Sequence, residues 1–186
     1  MKPKTIKIND FKQFHKNIPE IVSEINQNQR LGILAMTNPL LTLKEMGYDI
    51  PLDVQKKIER ILRFSNPEIG KLEKLEKEIE KLSKEKIDLD DPKEVDNLLF
   101  KKIKLKKPNN LPSIDLNKRV AAESDPLKKL KGSDKIVDLL QEYQTIASGK
   151  PAFLSQQEFN QLKTGKLKVP VTKIKFIIPA NHQHQE

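Results

Sequence analysis

The chain has no cysteine and no tryptophan, two tyrosines and six glycines in 186 residues. Without cysteine there is no disulfide, no thiol nucleophile, no thiolate zinc site and no iron–sulfur ligation. The glycines stand singly at positions 32, 47, 70, 132, 149 and 165, too scattered for a phosphate-cradling loop or a dinucleotide fingerprint. No serine or threonine sits in a nucleophile elbow. No apolar run approaches the roughly 18 residues of a membrane span. Met1 to Lys7 carries charge without an apolar stretch, so no secretory signal is expected and a cytoplasmic location is. Aromatic residues make up only 5% of the chain, which leaves few rings for stacking nucleic-acid bases.

Charge is what the chain has in excess. Charged residues make up 33%, against about 25% in an average domain, and the net charge is +9. Residues 1–64 carry +4, residues 65–91 carry −3, residues 92–107 carry +4, residues 108–149 are neutral and residues 150–186 carry +4. Lysine supplies most of the positive charge, with arginine only at 30, 60, 63 and 119. An ammonium is a hydrated point charge and a poor bidentate reader of guanine or phosphate. A polyanionic partner is therefore permitted, but sequence-specific DNA reading is not indicated. Leu, Ile, Val and Phe number 56 of 186, enough to exclude general disorder. The apolar fraction of 36% is too low for a large compact enzyme core.

Four Asx-Pro dipeptides punctuate the chain: Asn38-Pro39, Asn66-Pro67, Asp91-Pro92 and Asp125-Pro126. Asn or Asp at N-cap accepts from free backbone N–H groups, and proline at N1 loses no helical bond, so each dipeptide predicts a helix start. Phe11, Phe14, Ile18, Ile21, Val22 and Ile25 predict a helix from Phe11 to about Gln27, broken at Pro19. The apolar run 31–36 should be buried. A short helix from Pro39 should close at Gly47, and another should run from Pro51 to Phe64. In the Glu/Lys-rich stretch 67–86, Leu72, Leu75, Ile79 and Leu82 step by three and four. They form a seam that can dock a helix of this chain or of another subunit.

Past Asp91-Pro92 a short helix should reach about Phe100, and residues 106–117, with two prolines, should form an extended linker. Two helices are expected after Asp125 and Ser133. Ser155 and Glu158 form a capping box, flanked by Leu154 and Phe159 as a hydrophobic staple. Lysine alternates with apolar residues at 5–8, 102–105 and 173–178, a period of two that predicts half-buried strands, either pairing together or adding to a partner's sheet.

Candidate chemistry is sparse. His182 and His184 could face one way in an extended tail, but a solvated tail is the simpler reading, and no metal or cofactor is expected. His15 has no partner acid or nucleophile suggested by the sequence. The carboxylates at 73, 76, 78 and 80 are alike and exposed on one charged helix, unlike the contrasted pair of a glycosidase. The densest basic run, Lys101, Lys102, Lys104, Lys106 and Lys107, fits an acidic protein surface, nucleic acid or a lysine-guarded strand edge.

The segment Asn38 to Pro51, with its proline-started helix, Leu43-Lys44-Glu45, Gly47 and Ile50-Pro51, resembles the leader of nitrile-hydratase-type peptide-maturation precursors. Such precursors usually end in a core rich in Cys, Ser or Thr, which this C-terminus lacks, and no family is assigned from the segment.

The expectation is a mainly α chain: several short helices with a small β element, extended linkers and a non-compact overall form. Its parts would be a helical unit at 1–64, a charged helix and basic linker at 65–117, a helical pair and strand at 118–179, and a polar tail at 180–186. The expected role is a non-catalytic structural or adaptor subunit of a larger protein complex. Leu72, Leu75, Ile79 and Leu82 would dock a helix, Ile174, Phe176 and Ile178 would anchor a strand, and the five lysines would meet an acidic surface. A lysine-rich nucleic-acid-binding accessory protein is the alternative.

Overall fold

A computed structural model of the chain describes residues 5–121, 124–150 and 153–168. The fold is mainly helical with a two-stranded parallel sheet. Its described residues group into two units. One comprises residues 5–62 and 153–168, and the other residues 63–121 and 124–150.

The first unit starts with β1 (Ile6–Lys7), which pairs in parallel with β2 (Tyr48–Asp49), Ile6 opposite Tyr48. The Ile8 amide extends the ladder to the Asp49 carbonyl at 2.9 Å. Between the strands lie α1 (Phe11–Gln27), α2 (Gln29–Thr37) and α3 (Pro39–Glu45). Asp10, Asn28 and Asn38 cap these helices by accepting from backbone amides of the first turn, which satisfies donors that have no helical partner. Gly47, at φ 92°, turns the chain from α3 into β2, a left-handed conformation that favours glycine.

The break expected at Pro19 does not occur, and α1 runs through it. Interior proline costs roughly 3 kcal/mol. Phe14 on one side of Pro19 and Ile21 and Ile25 on the other are buried in the same core, which holds both halves in line. That core adds Ile8, Ala35, Leu43, Tyr48 and Ile50, together with Val54 and Ile58 from α4 (Leu52–Arg63).

The second unit is built on α5 (Asn66–Ser83) and α7 (Lys135–Ala147), which pack along each other. Between them in sequence come α6 (Pro92–Asp96), a π-helical turn (Asn97–Lys102) and a 3-10 turn (Lys128–Leu130). Helix α5 starts one residue earlier than Asn66-Pro67 implies. Ser65 is the N-cap, and its amide and hydroxyl both donate to Glu68 Oε2 at 2.8 Å. Asp125-Pro126 starts no α-helix. Asp125 Oδ1 instead accepts from the Leu127 amide at 3.0 Å in a local turn.

Residues 106–117 lack regular structure, as their prolines predict, yet two of their side chains enter the core. Ile114 and Leu116 are each 1% exposed. Asp96 pins the segment by accepting from the Ile114 amide at 3.1 Å and the Ser113 hydroxyl at 3.1 Å. Arg63 closes the other side. Its guanidinium donates to Asn117 Oδ1 at 3.3 Å and to the Ala147 carbonyl at 3.1 Å, and lies 4.9 Å from the Phe64 ring centre. A cation at the C-terminal end of α7 complements the helix dipole.

Helix α8 (Gln156–Lys163) returns to the first unit. The Leu154 amide donates to the Thr37 carbonyl at 3.0 Å, and Asn38 Nδ2 donates to the Leu154 carbonyl at 2.8 Å. The capping box expected at Ser155 and Glu158 is present, with bonds in both directions. Among the described residues, no helix is long and apolar enough to cross a membrane.

Candidate protein-interaction surfaces

The seam residues Leu72, Leu75 and Ile79 are 1%, 6% and 1% exposed. Their partner is the chain itself. They pack in one cluster with Val137, Leu140, Tyr143 and Ala147 of α7, and Tyr143 Oη donates to Glu76 Oε1 at 3.3 Å. Of the two partners the seam allows, a helix of this chain takes it, and the apolar surface of these three residues is spent there rather than on another subunit. Leu82, at the end of the seam, is 41% exposed. Ile174, Phe176 and Ile178, with His182 and His184, lie outside the described residues.

The strand expected at 102–105 is also absent. Val95, Leu98 and Leu99 are fully buried and, with Ile103 and Leu105 packed against the same core, continue a helical face through a π-helical turn. The Ile103 amide donates to the Leu98 carbonyl, and the Leu105 amide to that of Leu99. Lys104 takes φ 62° between them, ending the helix. A four-residue alternation is too short to outweigh this burial.

The lysines of this run divide into two groups. Lys102 pairs with Glu85 at 2.5 Å, and Lys107 pairs with Asp96 at 3.3 Å while lying 5.0 Å from the Phe100 ring centre. Lys101, Lys104 and Lys106 are exposed and make no ion pair with described residues. Lys101 and Lys102 flank a groove of ≈ 450 Å³, with Ile87 and Leu98 among its apolar lining. Lys86, arriving from beyond α5, lines the same groove, as do Glu85 and Glu94. Glu94 is held by accepting from the Asp88 amide at 2.7 Å. Sequence reasoning found Lys101 and Lys102 but missed Lys86, because only the turn after α5 carries it there.

Glu68, Glu158 and Tyr48 depart from their ordinary values, and each has a structural cause. The Ser65 amide and then its hydroxyl, with a smaller contribution from Lys150, hold Glu68 below the usual carboxylate range. The Ser155 hydroxyl and then its amide do the same for Glu158. Burial, followed by the negative charges of Glu20 and Glu24, pushes the Tyr48 phenol up. Its hydroxyl is buried with no hydrogen-bond partner among the described residues. Among those residues no group of three or more His, Asp or Glu side chains could hold a metal. His15 is half-buried on α1.

No protein-family model, no curated protein and no solved structure matches the chain.

Proposed function

We propose that the chain is a non-catalytic adaptor or structural subunit that binds an acidic surface of another protein through the lysine groove of its second unit. One observation carries this reading. Lysines distant in sequence, Lys86 and Lys101, meet at one groove, continuous with a run in which Lys101, Lys104 and Lys106 are exposed and make no ion pair with described residues. Such cations keep their charge for an encounter, and complementary charge raises association rates and selects partners. Ile87, half-buried at the groove, offers an apolar contact that a protein partner uses and a polyphosphate does not.

The test is co-purification from the native source after nuclease treatment, comparing the natural chain with a variant carrying Lys101→Glu, Lys104→Glu and Lys106→Glu. The reading expects a stoichiometric protein partner that survives nuclease and is lost from the variant. Partners that vanish on nuclease treatment, with binding that falls steeply as salt rises, would replace it with nucleic-acid binding. A partner retained equally by the variant would move the site elsewhere.

A further inference from the structure

The first unit holds a second basic groove, between α2 and α8. It measures ≈ 420 Å³ and is lined by Gln29, Arg30, Ile33, Leu34, Leu162, Lys163 and Lys168. Ile33 and Leu162 are half-buried and Leu34 is buried, giving an apolar floor. Met36, 47% exposed, follows Ile33 by one helical turn on the same side of α2, next to that floor. The rim is positive. Arg30 is exposed and donates to the Lys163 carbonyl at 3.1 Å, where the C-terminal end of α8 favours a cation. Lys168 is exposed and makes no ion pair with described residues. Lys163 spends its charge on Glu45 at 2.5 Å. No carboxylate lines the groove among the described residues.

The geometry points to a docking groove for an acidic amphipathic helix of a partner protein, its leucine-type side chains on Ile33, Leu162 and Met36 and its carboxylates on Arg30 and Lys168. Two parallel requirements favour that occupant. The apolar floor lies between two helices, as in helix-in-groove recognition, and the rim offers positive charge with no carboxylate to compete for it. The inference rests on the reading of the chain as a protein-binding subunit but uses a different unit and different residues.

The test uses the purified full chain and a synthetic helical peptide with leucine at positions i, i+3 and i+7 and glutamate elsewhere, followed by fluorescence anisotropy. A matched peptide with lysine in place of glutamate and free decanoate are the comparison probes. The glutamate peptide should bind, and the variant Arg30→Glu with Lys168→Glu should bind it about tenfold more weakly. The same variant should gain affinity for the lysine peptide, which an unfolded chain would not. Lys168→Glu alone keeps the Arg30 bond and should show a smaller loss. Equal binding of both peptides, or no effect of charge reversal, would overturn the inference. Decanoate binding with the same residue dependence, without peptide binding, would replace the helix with a small anionic amphiphile. The variant with Lys101, Lys104 and Lys106 changed to Glu should bind the glutamate peptide like the natural chain. Loss there would place the peptide on the second unit and overturn the inference. A failed co-purification with intact peptide binding would sink only the lysine-groove reading.

Discussion

The two units bury their apolar residues by different routes. The second is one continuous stretch of chain, and its cluster, eighteen buried residues among those described, includes the apolar faces of both α5 and α7. The first has a cluster of ten and recruits α8 from beyond the other unit; Phe159 of α8 is fully buried, and polar contacts at Asn38, Arg30 and Lys163 add to its hold. Four of the five exposed large hydrophobics, Met36, Leu52, Ile61 and Leu62, belong to this first unit. The difference teaches where cohesion comes from. In one unit a broad apolar helix face does the work, whereas the other closes a smaller core with one buried aromatic of α8 and a few polar attachments.

The largest effect expected from this comparison is at Leu140, fully buried in the second unit. Leu140→Ala should cost about 3 kcal/mol through lost transfer energy and a residual cavity. Native-state hydrogen exchange should show that loss in α5 and α7 and leave α1 to α4 unchanged. A loss spread evenly over both units would mean that they open together, and the comparison would fail.

The next effect is at Asn38, which caps α3 by accepting from the Leu41 amide at 3.0 Å and also donates to the Leu154 carbonyl. Asn38→Ala removes both bonds and should cost roughly 1–2 kcal/mol. Limited proteolysis should then cut near α8 sooner. Unchanged proteolysis would show that Asn38 does not attach α8.

How much of this was legible depends on whether the determinant was local. The Asn38 and Asp91 caps, the α8 capping box and the α5 seam are short-range patterns, and the structure shows each as a helix terminus or a buried face. The Ser65–Glu68 box was equally present in the letters Ser-Asn-Pro-Glu but was hidden by the Asn-Pro signal one residue on. The continuity of α1 through Pro19 was not local, since burial on both sides of the proline decides it. Nor was the packing of Ile114 and Leu116, because proline marks irregular backbone without saying whether it is buried. The lysine groove was half legible. The run at 101–107 stood out, while Lys86 joined it only through the turn that follows α5. No short-range feature announced that α8 would cap α2, because that contact spans more than a hundred residues.

Acid titration compares the two units more finely, because each contains one capping box. Glu68 and Glu158 should titrate below the ordinary glutamate value of 4.5. A carboxylate whose folded value is lowered contributes stability above the unfolded value and loses it as pH falls through the folded one. NMR titration of the side-chain carboxyls should show Ser155→Ala returning Glu158 toward 4.5 without moving Glu68. Ser65→Ala should return Glu68 only in part, since the Ser65 amide, the larger cause, remains and Lys150 still approaches it at 3.3 Å. Movement of both groups in either variant would contradict these assignments.

The smallest effect belongs to Leu52, 67% exposed. Leu52→Ser should change stability by no more than about 0.5 kcal/mol in chemical denaturation. A larger loss would show that this side chain is covered in solution, and would sharpen the case for a partner on the first unit.

The account stands or falls most directly on the allegiance of α8, and native-state hydrogen exchange on the full chain with Asn38→Ala reads it. The α8 amides should lose protection together with α2 and α3, while α5 and α7 keep theirs. Exchange of α8 in step with α7, indifferent to Asn38, would contradict the two-unit organisation on which both proposed surfaces rest.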